Sequence, residues 1–336
     1  KGHVAAALAR NYDVLIRVGG PNAGHTVSSE SGLYTYHQLP SGSKDTKAKI
    51  LLGPGMTINK KTLLEEIADC GVDETRLCID PQAMLINDDD REKEALMRDE
   101  IGSTASGSGA ANARRILSRT ASPPLLARDD PDLKKYTEKR AEFCGDAVHE
   151  LERCFFERKR ILLEGTQGSG LSLYHGQYPH VTSRDTNVAG CLAEAGVSPK
   201  RVRRVIMVVR TTPIRVGDPD GGVHTSGKLK NETSFEVIAE QAGLDPEEVK
   251  SAEKTSTTRR DRRVGWFDWE QFRRACILNS PTDIALTFAD YLSAENQNAR
   301  RFEQLTDDTI KFIEELEHVA QAPVSIINTR FPKLEQ

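Results

Sequence analysis

The sequence predicts an α/β fold with a mainly parallel central sheet flanked by helices. Three observations predict it: short apolar runs rich in β-branched residues, amphipathic stretches between them, and glycine, proline or polar clusters closing each run. The runs are Val14-Leu15-Ile16, Ile50-Leu51-Leu52, Ile161-Leu162-Leu163, Val205-Ile206-Met207-Val208-Val209, Ile284-Ala285-Leu286 and Val324-Ser325-Ile326-Ile327. Runs this short and this apolar suit strands buried on both faces. Between them, Lys61 to Cys70 before Gly71, Lys135 to Arg158, and Asp307 to Ala320 carry apolar residues at helical spacing. Ahead of the first run, Ala5 to Arg10 reads as helix with no strand or cap before it. Gly102 to Ala113 and Gly217 to Glu232 break the alternation, and their small, polar composition reads as flexible linker. The 336 residues can bury a large core, and a single elaborated α/β domain over 1–336 is expected. In such a fold the functional groups gather on loops leaving the strands.

Composition narrows the function classes. Lys and Arg total 46 against 50 Asp and Glu, a formal charge of -4, which gives no electrostatic reason to expect a nucleic-acid polymer as partner. No apolar run approaches the roughly 18 residues of a membrane span. Six scattered cysteines without C-x-x-C spacing fit reduced thiols and a cytoplasmic location better than disulfides or zinc.

Three segments carry chemistry. Gly19-Gly20-Pro21-Asn22-Ala23-Gly24-His25-Thr26 follows the first strand, where glycines let backbone N–H groups approach an anion and His25 can sit against a phosphoryl group. Taken alone it is more simply a turn with an exposed histidine. Leu163-Glu164-Gly165-Thr166-Gln167-Gly168 runs from strand to glycine loop and is followed by Tyr178-Pro179-His180-Val181-Thr182-Ser183. Gln167 and Thr182 offer the neutral hydrogen-bonding groups that hold a base edge or a phosphate monoester, or that merely satisfy turns. The densest segment is Thr255 to Trp266, TSTTRRDRRVGW. Its hydroxyls and four planar guanidiniums suit a dianionic small molecule, with a solvated basic patch as the commoner alternative. The P-loop signature G-x-x-x-x-G-K-[ST] is absent.

Together, N-A-G-H-T at Asn22 to Thr26, E-G-T-Q-G at Glu164 to Gly168, Y-P-H-V-T-S at Tyr178 to Ser183 and T-T-R-R-D-R-R-V-G-W at Thr257 to Trp266 resemble the adenylosuccinate synthetase family, in order over nearly the whole chain. The resemblance implies a P-loop-like fold and a ligase that joins L-aspartate to the 6-oxo position of a purine nucleoside monophosphate. It implies ATP or GTP as co-substrate and Mg2+ as metal. His25 would be the general acid, and Gly24 would offer its carbonyl to the metal. Asn22, Thr104, Gln167 and Thr182 would hold the acceptor nucleotide, with Arg119 reaching its phosphate across a homodimer interface. Thr257, Thr258, Arg260 and Arg262 would hold aspartate. Lys1, Gly2, Gly24, His25, Thr26, Thr287 and Asp290 would contact the triphosphate. Lys1-Gly2 looks like the end of the family's G-D-E-G-K-G loop, which implies that the loop's carboxylate, general base and metal ligand, lies upstream of Lys1.

The chain also departs from the family pattern. Arg259 and Asp261 replace a glycine and an arginine of T-T-G-R-R-R-R, Asp218 to Gly222 replaces G-P-F-P, and Thr287-Phe288-Ala289-Asp290 stands for T-K-x-D, so that Phe288 could stack where the lysine stem covers the base. The last of these leaves ATP and GTP both open as donor, while the short chain, the Gly-Gly segment and the altered arginine loop look more like the diverged branch that includes viral 2-aminoadenylosuccinate synthetases, which favours dGMP as acceptor, with IMP close behind. Three rivals are a nucleotide-binding protein that has lost catalysis, a GTPase switch, in which the Thr/Arg loop has no task, and a dehydrogenase, which lacks its G-x-G-x-x-G.

Overall fold

The computed structural model describes residues 1–29, 32–119, 125–138, 145–218, 222, 225–255 and 260–329. The chain forms two compact units, Lys1–Arg201 and Val202–Gln336.

In the first unit, four parallel strands lie in the order β6-β4-β1-β8: β1 Val14–Arg17, β4 Lys49–Leu52, β6 Leu77–Ile79 and β8 Ile161–Glu164. Leu15 is registered on Ile50 and on Leu162. Successive side chains leave opposite faces of a strand, and both faces are buried here. Ile50, Leu52, Leu77 and Ile79 pack with Leu63 and Ile67, while Val14, Ile16, Leu51 and Cys78 pack with Leu151, Cys154 and Ala195. That two-sided burial is why the runs read as continuously apolar. A hairpin of β2 His25–Ser29 and β3 Gly32–Tyr36 and a parallel pair of β5 Thr57–Ile58 and β7 Met84–Leu85 complete this unit's strands among the described residues.

Two helix expectations and one linker expectation meet different outcomes. Lys61 to Cys70 is the helix Lys60–Asp69, capped by Asn59, which accepts from the Thr62 N–H, and it ends before Gly71 at φ 59°. The stretch Lys135 to Arg158 is not one helix. Among the described residues it holds Lys134–Thr137, which ends at the extended Glu138, and Ala147–Phe156, which starts afresh after Gly145, at φ 141°, with Asp146 accepting from the Val148 and His149 N–H groups. Gly102 to Ala113 is only in part an open loop, since Ser108–Leu117 is helical. At the N-terminus the helix Gly2–Ala9 has no side-chain cap.

The second unit has a parallel sheet, β14-β13-β9, and an antiparallel one, β10-β12-β11. Their strands are β9 Ile206–Arg210, β10 Ile214–Val216, β11 Glu232–Thr233, β12 Arg262–Gly265, β13 Asp283–Thr287 and β14 Val324–Ile327. The helices Trp269–Asn279 and Asp307–Ala320 cover the parallel strands through a core containing Phe272, Ile284, Leu286, Ile313 and Leu316. Phe267 meets Trp269 and Phe312 edge-on at 4.7 and 5.0 Å between ring centroids. No helix among the described residues is long and apolar enough to cross a membrane. Cys70, Cys154, Cys191 and Cys276 are buried free thiols, whereas Cys78 is disulfide-bonded, against the expectation of reduced thiols throughout.

Candidate active site

The apolar runs of β1 and β8 each end in a charge, and these charges, Arg17 and Glu164, are register partners. Both side chains are almost wholly buried, with Nη1 and Oε1 3.6 Å apart. A buried ion pair is supported by hydrogen bonds to its remaining donors and acceptors. Arg17 donates to the carbonyls of Ala23 (2.6 Å), Tyr36 (3.2 Å) and Leu39 (3.3 Å), its Nε alone being buried with no partner among the described residues, and Glu164 accepts from the Ser41 N–H (2.6 Å) and hydroxyl (2.7 Å). The loop that supplies Leu39 and Ser41 is fixed by buried Glu66, which accepts the N–H groups of His37, Gln38 and Leu39.

His25, the first residue of β2, sets Nδ1 2.5 Å from Glu164 Oε1 and 3.4 Å from Arg17 Nη1. The shorter contact decides the tautomer: an ionised carboxylate only accepts, so Nδ1 carries the hydrogen and Nε2 is the ring nitrogen left for a ligand. Burial, with the Arg17 cation adding to it, pushes His25 down to about 3, against the pull of Glu164. Burial opposes ionisation of Glu164, but His25, Arg17 and Ser41 outweigh it and hold the carboxyl at about 2. At neutral pH the pair is therefore carboxylate and neutral imidazole. An anion arriving at Nε2 favours the imidazolium, which can return that proton.

Three residues singled out in the sequence converge on one hydroxyl. Thr182 Oγ1 accepts from Gln167 Nε2 (2.9 Å) and Asn22 Nδ2 (3.3 Å). Gln167 has φ 62°, and Lys1 donates from Nζ to its carbonyl. The loops are held close. Gly19, at φ 97°, has Thr166 Oγ1 only 2.5 Å from where a Cβ would lie, so a side chain fits there neither in space nor in backbone conformation. Arg184 donates to Thr166 and pairs with Glu194 at 2.6 Å. Gly2 abuts the same group, since a Cβ there would stand 3.0 Å from the His25 Cβ. Gly24 lies between Ala23, whose carbonyl holds Arg17, and His25. The Thr26 hydroxyl bonds across the hairpin to Thr35 at 2.9 Å.

Thr104 is half-buried in the small-residue segment, outside that hydrogen-bonded group. The segment's far end is clamped by Glu94, which accepts from the N–H groups of Gly107 (2.7 Å), Gly109 (2.5 Å) and Ala110 (3.0 Å). The start of helix Ser108–Leu117 thereby lies against Ser183, next to Thr182: a Cβ on Gly109 would be 3.0 Å from the Ser183 Cβ. Arg119 is exposed just past that helix and donates to the Ile116 carbonyl at 2.7 Å.

In the second unit Thr257 and Thr258 lie outside the described residues. Arg260 closes the base of their loop, its N–H bonding Thr255 Oγ1 at 2.9 Å, and its Nη1 is buried with no partner among the described residues. Arg262 donates to Glu253 at 2.7 Å. The Thr287 hydroxyl is engaged with the Val209 carbonyl at 2.9 Å. Asp290 is buried, which pushes its carboxyl up to about 6, and its Oδ1 has no partner among the described residues. Phe288 does not present two open faces for stacking: the Arg210 guanidinium lies 3.7 Å from its ring centroid.

Sequence reasoning missed Arg17, Ser41, Glu66, Glu94 and Glu253. For Arg17 and Glu164 a signal was present, a charge closing each of two apolar strands.

A buried histidine with one nitrogen fixed on a carboxylate, and an amide and hydroxyl cluster on the loops that follow parallel strands, are groups suited to acid–base work in an α/β enzyme. A family model described as adenylosuccinate synthetase matches residues 1–124 and 128–297. The adenylosuccinate synthetase of Methanocaldococcus jannaschii is 37% identical over 324 residues, covering 94% of this chain and 85% of its own. That of Thermococcus onnurineus is 36% identical over 344 residues, covering 100% and 93%. Among solved structures, fully ligated adenylosuccinate synthetase from Plasmodium falciparum has a TM-score of 0.82 at 21% identity, over 98% of this chain and 94% of that one, a likeness of fold. Cyanophage S-2L succinoaminodeoxyadenylate synthetase, bound to dGMP and to dATP as energy donor, has a TM-score of 0.74 at 29% identity, over 97% and 87%. This chain belongs to the adenylosuccinate synthetase family and is a carbon–nitrogen ligase.

Proposed function

We propose that the chain joins L-aspartate to C6 of a 6-oxopurine nucleoside monophosphate, at the expense of ATP or GTP, through a 6-phosphoryl intermediate. The observation that carries this reading is His25, held through Nδ1 on ionised Glu164 and three residues along the loop from Asn22, which meets Gln167 on the Thr182 hydroxyl. Oxide is a poor leaving group. Transfer of the γ-phosphoryl to O6 converts it to phosphate, which the aspartate amine displaces from C6. In this scheme His25 donates to the phosphoryl oxygens as charge gathers on them, and Glu164 steadies the imidazolium.

Asn22, Gln167, Thr182 and Thr104 hold the acceptor, and Arg119, exposed past the helix Ser108–Leu117, reaches the nucleotide of a second copy in a homodimer. Arg260 and Arg262, with Thr257 and Thr258, hold aspartate. Lys1, Gly2, Gly24, His25 and Thr26 face the triphosphate, and Thr287 and Asp290 its base. Mg2+, when bound, neutralises phosphate charge. Gly24 would offer its carbonyl to that cation.

For the acceptor we propose dGMP, supported by the cyanophage neighbour at 29% identity, whose structure holds dGMP. A second reading, IMP, is favoured by the relatives at 36–37% identity named adenylosuccinate synthetase. The test is incubation with aspartate, Mg2+, ATP or GTP, and dGMP or IMP, with the succinylated nucleotide identified by mass. Product from IMP alone replaces the first reading by the second. Product from neither leaves a nucleotide-binding protein without catalysis.

A further inference from the structure

We propose that Glu253 is a positioning residue that sets Arg262, beside the aspartate loop, and Arg210, which covers Phe288 of the triphosphate-base loop, from one buried carboxylate. The inference deepens the proposed function and rests on its assignment of Arg262 and of the Thr287 to Asp290 loop.

Glu253 is the C-terminal cap of helix Pro246–Ala252 and is 2% exposed. Lys254 and Asp261 form an antiparallel bridge, and the Thr255 N–H bonds the Arg260 carbonyl at 2.8 Å. Residues 253–255 and 260–262 thus lie side by side, with Glu253 on one segment and Arg262 on the other. Across the two segments, Arg262 Nη1 donates to Glu253 Oε2 at 2.7 Å. The other oxygen, Oε1, accepts from Arg210 Nη2 at 2.7 Å and from the Tyr291 hydroxyl at 2.8 Å. Arg210 ends β9 in register with Thr287 at the end of β13, and its guanidinium covers the Phe288 ring at 3.7 Å. Phe288 itself is fixed at φ 62°, with the Thr211 hydroxyl on its carbonyl at 2.7 Å.

Two physical arguments follow. A carboxylate that accepts three hydrogen bonds inside the fold fixes the rotamers of all three donors, and misplacement of a binding group by about 1 Å can cost on the order of 100-fold in rate. One carboxylate also balances only one of its two guanidiniums. The surplus positive charge is left for an anionic ligand, as is the buried Nη1 of Arg260, which has no partner among the described residues. The charge that draws the second substrate and the platform beside the donor's base therefore share one anchor.

The test is Glu253→Gln in the full chain, with Michaelis constants for aspartate, triphosphate and acceptor measured separately and the melting temperature beside them. The expected result is a rise of about tenfold in the constants for both aspartate and triphosphate, with the acceptor constant unchanged. Tyr291→Phe, which removes one donor and keeps both charges, should move the same two constants in the same direction by less, and it carries the test if Glu253→Gln does not fold. Unchanged aspartate and triphosphate constants in a folded variant would overturn the inference, as would all three constants rising together with a fall in melting temperature. A wild type that makes no succinylated product overturns the proposed function, and this inference with it. A working wild type with indifferent variants overturns the inference alone.

Discussion

Replacing Glu164 by Gln tests the centre of the site, because it removes one charge and almost no volume. Arg17 and Glu164 have 0% and 2% of their side chains exposed, so water does not replace the lost partner. Removing one member of a buried ion pair costs about 3–5 kcal/mol, since the other charge stays desolvated. With roughly 2–4 °C per kcal/mol for a domain of this size, the melting temperature should fall by about 6–20 °C. The amide also turns a donor toward His25 Nδ1, which moves the ring hydrogen to Nε2 and takes away the counter-charge of the imidazolium. Turnover should then fall by roughly 10²–10⁴. Thermal melting and steady-state phosphate release read the two effects separately. A variant melting within about 2 °C of the wild type and turning over within about twofold would refute both the pairing energy and the tautomer argument. In the pair variant Arg17→Met with Glu164→Gln, part of the lost stability should return while turnover stays low.

His25→Ala should lower turnover by roughly 10²–10⁴ while leaving the acceptor's Michaelis constant within about threefold, and an unchanged rate removes His25 from the mechanism. Thr182→Val, which deletes the oxygen that accepts from Asn22 and Gln167, should raise the acceptor constant about tenfold without changing that for aspartate; equal constants reject the pocket. Stability should fall on acidification. His25 sits near 3 when folded against 6.5 unfolded, so below pH 6.5 the unfolded chain binds a proton that the folded one refuses. Half-buried His3, held near 4 by burial, acts in the same direction. The contribution of Glu164 is present above 4.5 and is lost only as pH falls toward about 2. Urea unfolding at pH 7.5, 6 and 5 should give unfolding free energies that fall by an amount on the order of a few kcal/mol, less in His25→Asn, and a flat series contradicts the burial argument.

The strands were legible because burial on both faces leaves an unbroken apolar signature. All six runs contain or overlap strands of the fold. Asn22, Gln167 and Thr182 were legible as hydrogen-bonding residues, but their meeting on one hydroxyl across 160 residues of chain was not, because separation in sequence carries no register. Glu253 was hidden for a related reason: a glutamate ending a helix reads as a solvated cap, and only the pairing of Thr255 with Arg260 sets it against Arg262. The small-residue segment misled by composition alone. Glycine, serine and alanine suggest flexibility, yet a carboxylate thirteen residues upstream anchors the segment.

That anchor bears on how the segment can change. Glu94 grips Gly107, Gly109 and Ala110 entirely through main-chain N–H groups, which every amino acid but proline supplies. Attachment is thus uncoupled from side-chain identity. Residues whose side chains neither face Ser183 nor need the left-handed backbone of Gly107 can be exchanged with the hold on the helix start intact, leaving the segment around Thr104 open to altered ligand choice at little cost in stability.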